Sequence, residues 1–302
     1  GNRSLALAGY QASGTASSAD IEYKALTSDS DTLDFGDAAF GISQDKRSCG
    51  SDSRAVFMGG HDAESGSTVG TNNIEYITIA NTGNGTEFGD LLVSGVILAG
   101  GSGNGVRGLF VGGRPSSNTD QIEYLTVATP GDAQDAGDLT RAASYTAANA
   151  NVAPGRMICI MGLDSDFQNK DFNYTAIMST DDAADFGDAS VFLGYATVIG
   201  LSESRNVWAW GYSNGWGSPT HVMMEYHNPS TLSDTTDFGD LQINTAWGAG
   251  KHTNGTRGEA WGGTEFSNDD IQKITIASTG DAAITAQIRT GQRNSWDGWS
   301  GD

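Results

Sequence analysis

RAVFMGG at 54–60, IEYITIA at 74–80 and EFGDL at 87–91 return as RGLFVGG at 107–113, IEYLTVA at 122–128 and DAGDL at 135–139. The opening arginine recurs as Arg3, Arg54, Arg107, Arg156, Arg205 and Arg257, at intervals of 51, 53, 49, 49 and 52 residues. Six copies of one phrase fill the 302-residue chain. A fixed period of this size marks a repeat architecture. A residue present in every copy is, first of all, one that the fold needs.

Within a copy, Leu109–Val111, Ile122–Val127 and the stretch after GDL are short and β-branched, bounded by Gly, Asn, Ser and Asp, as strands are. A fourth strand is expected before each arginine, as in Val93–Leu98. No stretch holds helical periodicity over three turns. The 42 glycines suit many tight turns and close backbone approaches. Four strands per copy and six copies predict an all-β fold, a six-bladed β-propeller. The alternative, an open solenoid, usually carries atypical capping repeats. Here the ends are complementary instead. The chain starts at the strand Arg3–Ala8 and finishes with Ile288–Trp299, the strand that the first copy lacks. We expect a single propeller over 1–302. Blade 1 is 289–302 plus 1–40, and blades 2 to 6 are 41–92, 93–140, 141–190, 191–241 and 242–288. The C-terminal strand, around Gly291–Trp296, closes the ring beside Leu5–Ala8.

The order Arg, Gly-Gly, Tyr and a late aromatic resembles the kelch repeat of β-propellers. The doublets are Gly59-Gly60, Gly112-Gly113 and Gly262-Gly263. Phe35, Phe88, Phe186 and Phe238, and Ala136 in one copy, stand where a kelch repeat has Trp, so the repeat is kelch-like. The phrase IEYxTIAxTGxxxxFGDL, carried by Asn73–Leu91, is similar to repeats of virion and tail-fibre proteins of marine tailed bacteriophages. That resemblance implies a virion or extracellular location. It also implies a structural or receptor-binding role, with other virion proteins or a host surface glycan as partner.

Sixteen Lys plus Arg against 37 Asp plus Glu give a net charge of −21. Such a surface repels nucleic acid, which is bound largely through Lys and Arg on phosphate, and disfavours anionic membranes. No run of eighteen apolar residues is present, so no membrane insertion is expected. Cys49 and Cys159 lie in different copies and read as two free, buried thiols. The sequence begins within a repeat, so we expect part of a larger protein or a homo-oligomer.

The recurring aspartates Asp37, Asp90, Asp138, Asp188 and Asp240 accompany the six arginines of the repeat. They predict recurring buried ion pairs, with Gln287 standing in for Asp in the last copy. The DFG triplets at 34–36, 185–187 and 237–239 lack every other kinase element and follow the repeat period. Asp29, Asp31, Asp34 and Asp37, and likewise Asp181, Asp182 and Asp185, have Asp-rich spacing that could hold Ca²⁺. They lack the Gly and Glu of an EF-hand loop, and so read as turn caps. No cofactor is expected, and no metal at His61, His221, His227 or His252. GxSxG, HExxH and Walker motifs are absent. All seven tryptophans follow residue 207. Trp208 stands where Phe57 and Phe110 stand and reads as core. Trp210, Tyr212, Trp216, Trp247 and Trp299 are the ligand-binding candidates, since Trp in Gly/Asn/Ser loops can stack on sugar or anchor a protein. The same rings could instead seal the blades. The favoured function is non-catalytic binding. A glycan hydrolase using paired carboxylates at the channel mouth and a purely architectural virion protein are the alternatives.

Overall fold

Each copy of the phrase folds into one four-stranded antiparallel sheet, and six such sheets form the propeller. In this computed structural model the described residues are 3–7, 10–11, 19–40, 42–62, 70–151, 155–162, 169–191, 193–194, 196–210, 212–213, 222–243, 249–262, 269–289, 292–293 and 298–301, and they contain no helix. Blade 2, from the axis outward, is Arg47–Gly50, Arg54–Met58, Asn73–Thr78 and Thr86–Asp90. Blade 3 is Gly100–Gly103, Arg107–Val111, Thr119–Thr126 and Gln134–Ala143. The inner strands of blades 4, 5 and 6 are Ala147–Asn151, Thr197–Leu201 and Ala249–Thr253. Neighbouring inner strands touch all the way round the axis.

The ring closes by strand pairing between the two ends of the sequence, though not at the expected segment. Gly298–Gly301, rather than 291–296, pairs with Arg3–Ala6, while Gln292–Arg293 pairs with Tyr10–Gln11. A second correction concerns Val93–Leu98, which is no strand. The inner strand is the glycine run Gly100–Gly103 that follows it. In blade 3 the inner strands of its neighbours come close, so small residues are needed there. A Cβ on Gly101 would lie 3.0 Å from Arg47 Cβ, and one on Gly108, in the next strand, 2.2 Å from Cys49 Sγ. The apolar run Val96–Ala99 is instead buried as a plug, with Val96 packed against the Met58, Leu91 and Phe110 cluster.

The core is not one mass but six layers, each between two blades. Val56, Met58 and Ile74 of blade 2, for example, meet Phe110, Leu125 and Val127 of blade 3. Phe35, Phe88, Phe186 and Phe238 are buried, each edge-on to the Tyr of its own blade at ring distances of 5.7–6.0 Å. A register shift at each of these residues marks a β-bulge, which turns the ring inward. The glycine that follows is required by close approach. A Cβ on Gly89 would stand 2.4 Å from the Gly131 carbonyl of the next blade.

Among the described residues the layer between blades 6 and 1 is the smallest: Ala6, Trp261, Ile271, Ala286 and Ile288. It also holds a buried ion pair. Lys24 Nζ lies 3.1 Å from Glu259 Oε1, both side chains being fully enclosed. Glu259 also accepts from Trp261 Nε1 at 2.9 Å and from the Arg257 guanidinium. Glu259 replaces the apolar Val56, Leu109, Ile158 and Val207 of other blades, and Lys24 replaces Ile77, Leu125 and Ile274. Burial lowers the Lys24 pKa, and Glu259 opposes that shift.

Candidate functional site

The recurring arginines do not meet the recurring aspartates. Each arginine is half-buried. Arg3, Arg54, Arg107, Arg156 and Arg205 lie 3.8–4.8 Å over the ring of the Tyr in IEY or its equivalent. Four of these guanidinium groups donate to backbone carbonyls of the next blade, Arg3 to Ile79, Arg54 to Val127, Arg107 to Ser179 and Arg205 to Ile276. In blade 6 Lys273 replaces the Tyr, and Arg257 turns to Asp29 at 2.7 Å and to Glu259. A ring face and a carbonyl accept a cation without a second buried charge, so desolvation costs less than in an ion pair.

The aspartates act through their peptide groups. The N–H of Asp37, Asp90, Asp138, Asp188, Asp240 and Gln287 donates at 3.0–3.1 Å to Asn84, Asp132, Asp182, Asp234, Asp281 and Asp31 of the next blade. The side groups of Asp37, Asp90, Asp138 and Asp240 are exposed, and that of Asp188 pairs with Lys170 at 2.8 Å. The Asp-rich turns are therefore latches. Asp31 and Asp182 cap the neighbouring blade, and Asp29 pairs with Lys273 and Arg257, which hold its pKa down at about 2. Among the described residues no three His, Cys, Asp or Glu converge as metal ligands.

Sequence reasoning missed the glutamate of IEY. Glu22, Glu75, Glu123 and Glu225, with Asn173 and Gln272, are buried, and each accepts from the backbone leaving the preceding blade. Glu123 takes Leu92 N–H at 2.8 Å and Val93 N–H at 3.1 Å; Gln272 takes Gln242 N–H at 2.7 Å; Asn173 takes Thr140 N–H at 3.0 Å. Glu22 does the same across the closing seam with Arg289 N–H at 3.2 Å. The signal was present. Asn and Gln, the residues that replace Glu, both keep a carbonyl oxygen beyond Cβ that can accept.

Of the ligand-binding candidates, Trp210 is corrected. It is fully buried, stacked 6.5 Å from Trp208, with Nε1 on Glu225 at 3.1 Å, and it fills the layer between blades 4 and 5. Trp216 and Trp247 lie outside the described residues, and Tyr212 is described only as backbone paired with Gly194. Trp299 is half-buried on the inner strand of blade 1, with Nε1 donating to Ser51 O at 3.0 Å. The cysteines are free and buried, and burial pushes the Cys159 thiol up to about 12, which leaves it unreactive. His227 and His252 are enclosed in aromatic surroundings, and burial lowers the pKa of each.

Trp299 lines a cavity of about 680 Å³ at one mouth of the central channel. The other walls are inner-strand ends and the turns that lead to Arg54, Arg107, Arg205 and Arg257. Half of the lining residues are Ser, Thr or Asn, and the charged ones are Asp52 and Glu203. Hydrogen bonds stitch adjacent blades around the mouth: Ala150 N–H to Ser102 Oγ, Asn151 Nδ2 to Ser202 O, Leu201 N–H to Thr253 Oγ1 and Thr253 N–H to Ser300 Oγ, all at 2.9–3.3 Å. The lining is thus bonded in place by the fold itself, which limits the ordering cost of binding. No family model matches this sequence, and no curated protein is significantly similar to it.

Proposed function

We propose that this propeller is a non-catalytic binding module and that it engages its partner at the channel-mouth face. The observation that carries the reading is the hydroxyl- and amide-lined cavity with Trp299 on its wall. Its size falls within the range of small-molecule sites, about 300–1,000 Å³. The likeness of IEYITIA and EFGDL to phage repeats supports a place on a tailed-phage virion, with a host surface glycan or a neighbouring virion protein as the partner. The acidic surface, at a net charge of −21, is in keeping with such an exposed position and against a nucleic-acid partner.

A hydrolase is the second reading, because Asp52 and Glu203 stand at the mouth on blades 2 and 5, which face each other across a ring of six. Glycosidases place two carboxyls about 5–9.5 Å apart, one of them with a raised pKa. Both carboxylates here are exposed, whereas a general acid stands in an apolar pocket, and this favours binding over acid catalysis. The purified domain should retain glycans on an array and release no reducing ends from the glycans it retains. Turnover of any retained glycan, abolished in Glu203→Gln, would replace this reading with the hydrolase.

A further inference from the structure

The four turns at the mouth that are described in full fall into two kinds, arranged in opposite pairs. Ser51-Asp52-Ser53 on blade 2 faces Ser202-Glu203-Ser204 on blade 5, and Asn104-Gly105-Val106 on blade 3 faces Asn254-Gly255-Thr256 on blade 6. In every turn the first residue caps, through its side group, the arginine that follows. Ser51 Oγ and Ser202 Oγ accept the N–H of Arg54 and Arg205 at 3.2 and 3.1 Å. Asn104 Oδ1 and Asn254 Oδ1 accept that of Arg107 and Arg257 at 2.9 and 2.8 Å.

The two kinds leave different groups for a ligand. An asparagine whose Oδ1 is spent on its own turn has a fixed carboxamide, and its NH₂ remains as a donor. Blades 3 and 6 therefore present donors. Blades 2 and 5 present the carboxylates of Asp52 and Glu203, which accept only. Acceptors and donors thus alternate around the cavity, and the half-buried Trp299 ring forms part of its wall on blade 1. A hydroxyl both donates and accepts, so a ring bearing several hydroxyls satisfies both sets at once. An inorganic anion, which only accepts, does not, and a single peptide side group brings at most one hydroxyl or carboxamide where a sugar ring brings several hydroxyls. Among the lining residues there is no Lys, Arg or His to balance a sulfate, phosphate or carboxylate.

We infer that the mouth seats the terminal residue of a neutral saccharide, with hydroxyls donating to Asp52 and Glu203 and accepting from Asn104 and Asn254, and with the sugar face against Trp299. This rests on the binding reading above and deepens it by naming the ligand chemistry and the residues.

Isosteric variants test it. Asn104→Asp and Asn254→Asp keep the oxygen that caps the turn and remove the donor; Asp52→Asn and Glu203→Gln keep shape and halve the acceptors. The probes are an array of neutral oligosaccharides beside sialylated, sulfated and amine-bearing counterparts. Titration of each variant with the best neutral hit follows. Each single variant should weaken binding about tenfold, the scale of one charge-assisted hydrogen bond, with the melting temperature unchanged. Wild-type affinity in all four variants would overturn the inference and leave the binding reading standing, with contact elsewhere on the disc. Preference for anionic or amine-bearing glycans would overturn it too. An array with no hit at all would overturn the inference and leave a protein as the partner under the binding reading.

Discussion

Replacing Glu259 by Leu removes the anion that three donors share in the seam between blades 6 and 1. Lys24 Nζ, 3.1 Å away and fully enclosed, is left as an unpaired buried ammonium, and Trp261 Nε1 loses its acceptor. Breaking a buried pair in this way costs about 3–5 kcal/mol. Deprotonation of Lys24 sets a ceiling on the lysine part. Taking a lysine from about pKa 10.4 in the unfolded state to neutral at pH 7 costs about 4.6 kcal/mol, at 1.36 kcal/mol per unit. The two routes agree on a loss of about 4 kcal/mol. The double variant Lys24→Met/Glu259→Leu restores the apolar layer that other junctions have, and should lie within about 1–2 kcal/mol of wild type. Urea unfolding of wild type, both single variants and the double variant gives the coupling energy directly. A loss below about 1 kcal/mol in Glu259→Leu, or a double variant as unstable as the sum of the singles, would refute the reasoning.

Asp90→Ala should change stability by less than about 0.5 kcal/mol, because its carboxylate is exposed. Asp132→Ala, which uncaps the Asp90 N–H, should cost about 1 kcal/mol, by analogy with helix caps. Arg54→Met should cost about 1–2 kcal/mol for the Val127 carbonyl and the Tyr76 ring together. Denaturation midpoints rank the three, and a cost for Asp90→Ala matching that for Arg54→Met would restore the ion-pair expectation. One part of the pH response comes from His227, whose pKa burial lowers from 6.5 to about 3. Between these values the unfolded state binds the proton and the folded state does not, so stability falls as pH drops through that window. His227→Phe, set among Phe172, Phe186 and Trp208, should lose less stability between about pH 7 and 4. Parallel midpoint curves for the two proteins would contradict this.

Trp210 and Trp299 show where sequence reading stops. Both are contact candidates on sequence grounds, and nothing local separates them. Trp210 turns inward because the layer between blades 4 and 5 has room for a second indole against Phe172, with Glu225 to take its N–H. Trp299 stays at the mouth because the closing strand is Gly298–Gly301, beyond the expected segment 291–296. The arginine column is a similar case. Its recurrence is plain, but a local pattern does not say whether the partner is a carboxylate, a ring or a carbonyl.

The sequence by itself determined the period, the all-β class, the six blades and the closure of the ring by its two ends. These depend on short-range alternation and on a phrase repeated often enough to be unmistakable. Only the tertiary structure decided what each repeated residue touches, which strand closes the ring, that an ion pair sits in the seam, and that four turns from four blades surround one cavity with alternating donors and acceptors. Most of those facts depend on residues distant in sequence meeting within or across blades. Packing chooses such partners, and no local pattern encodes them.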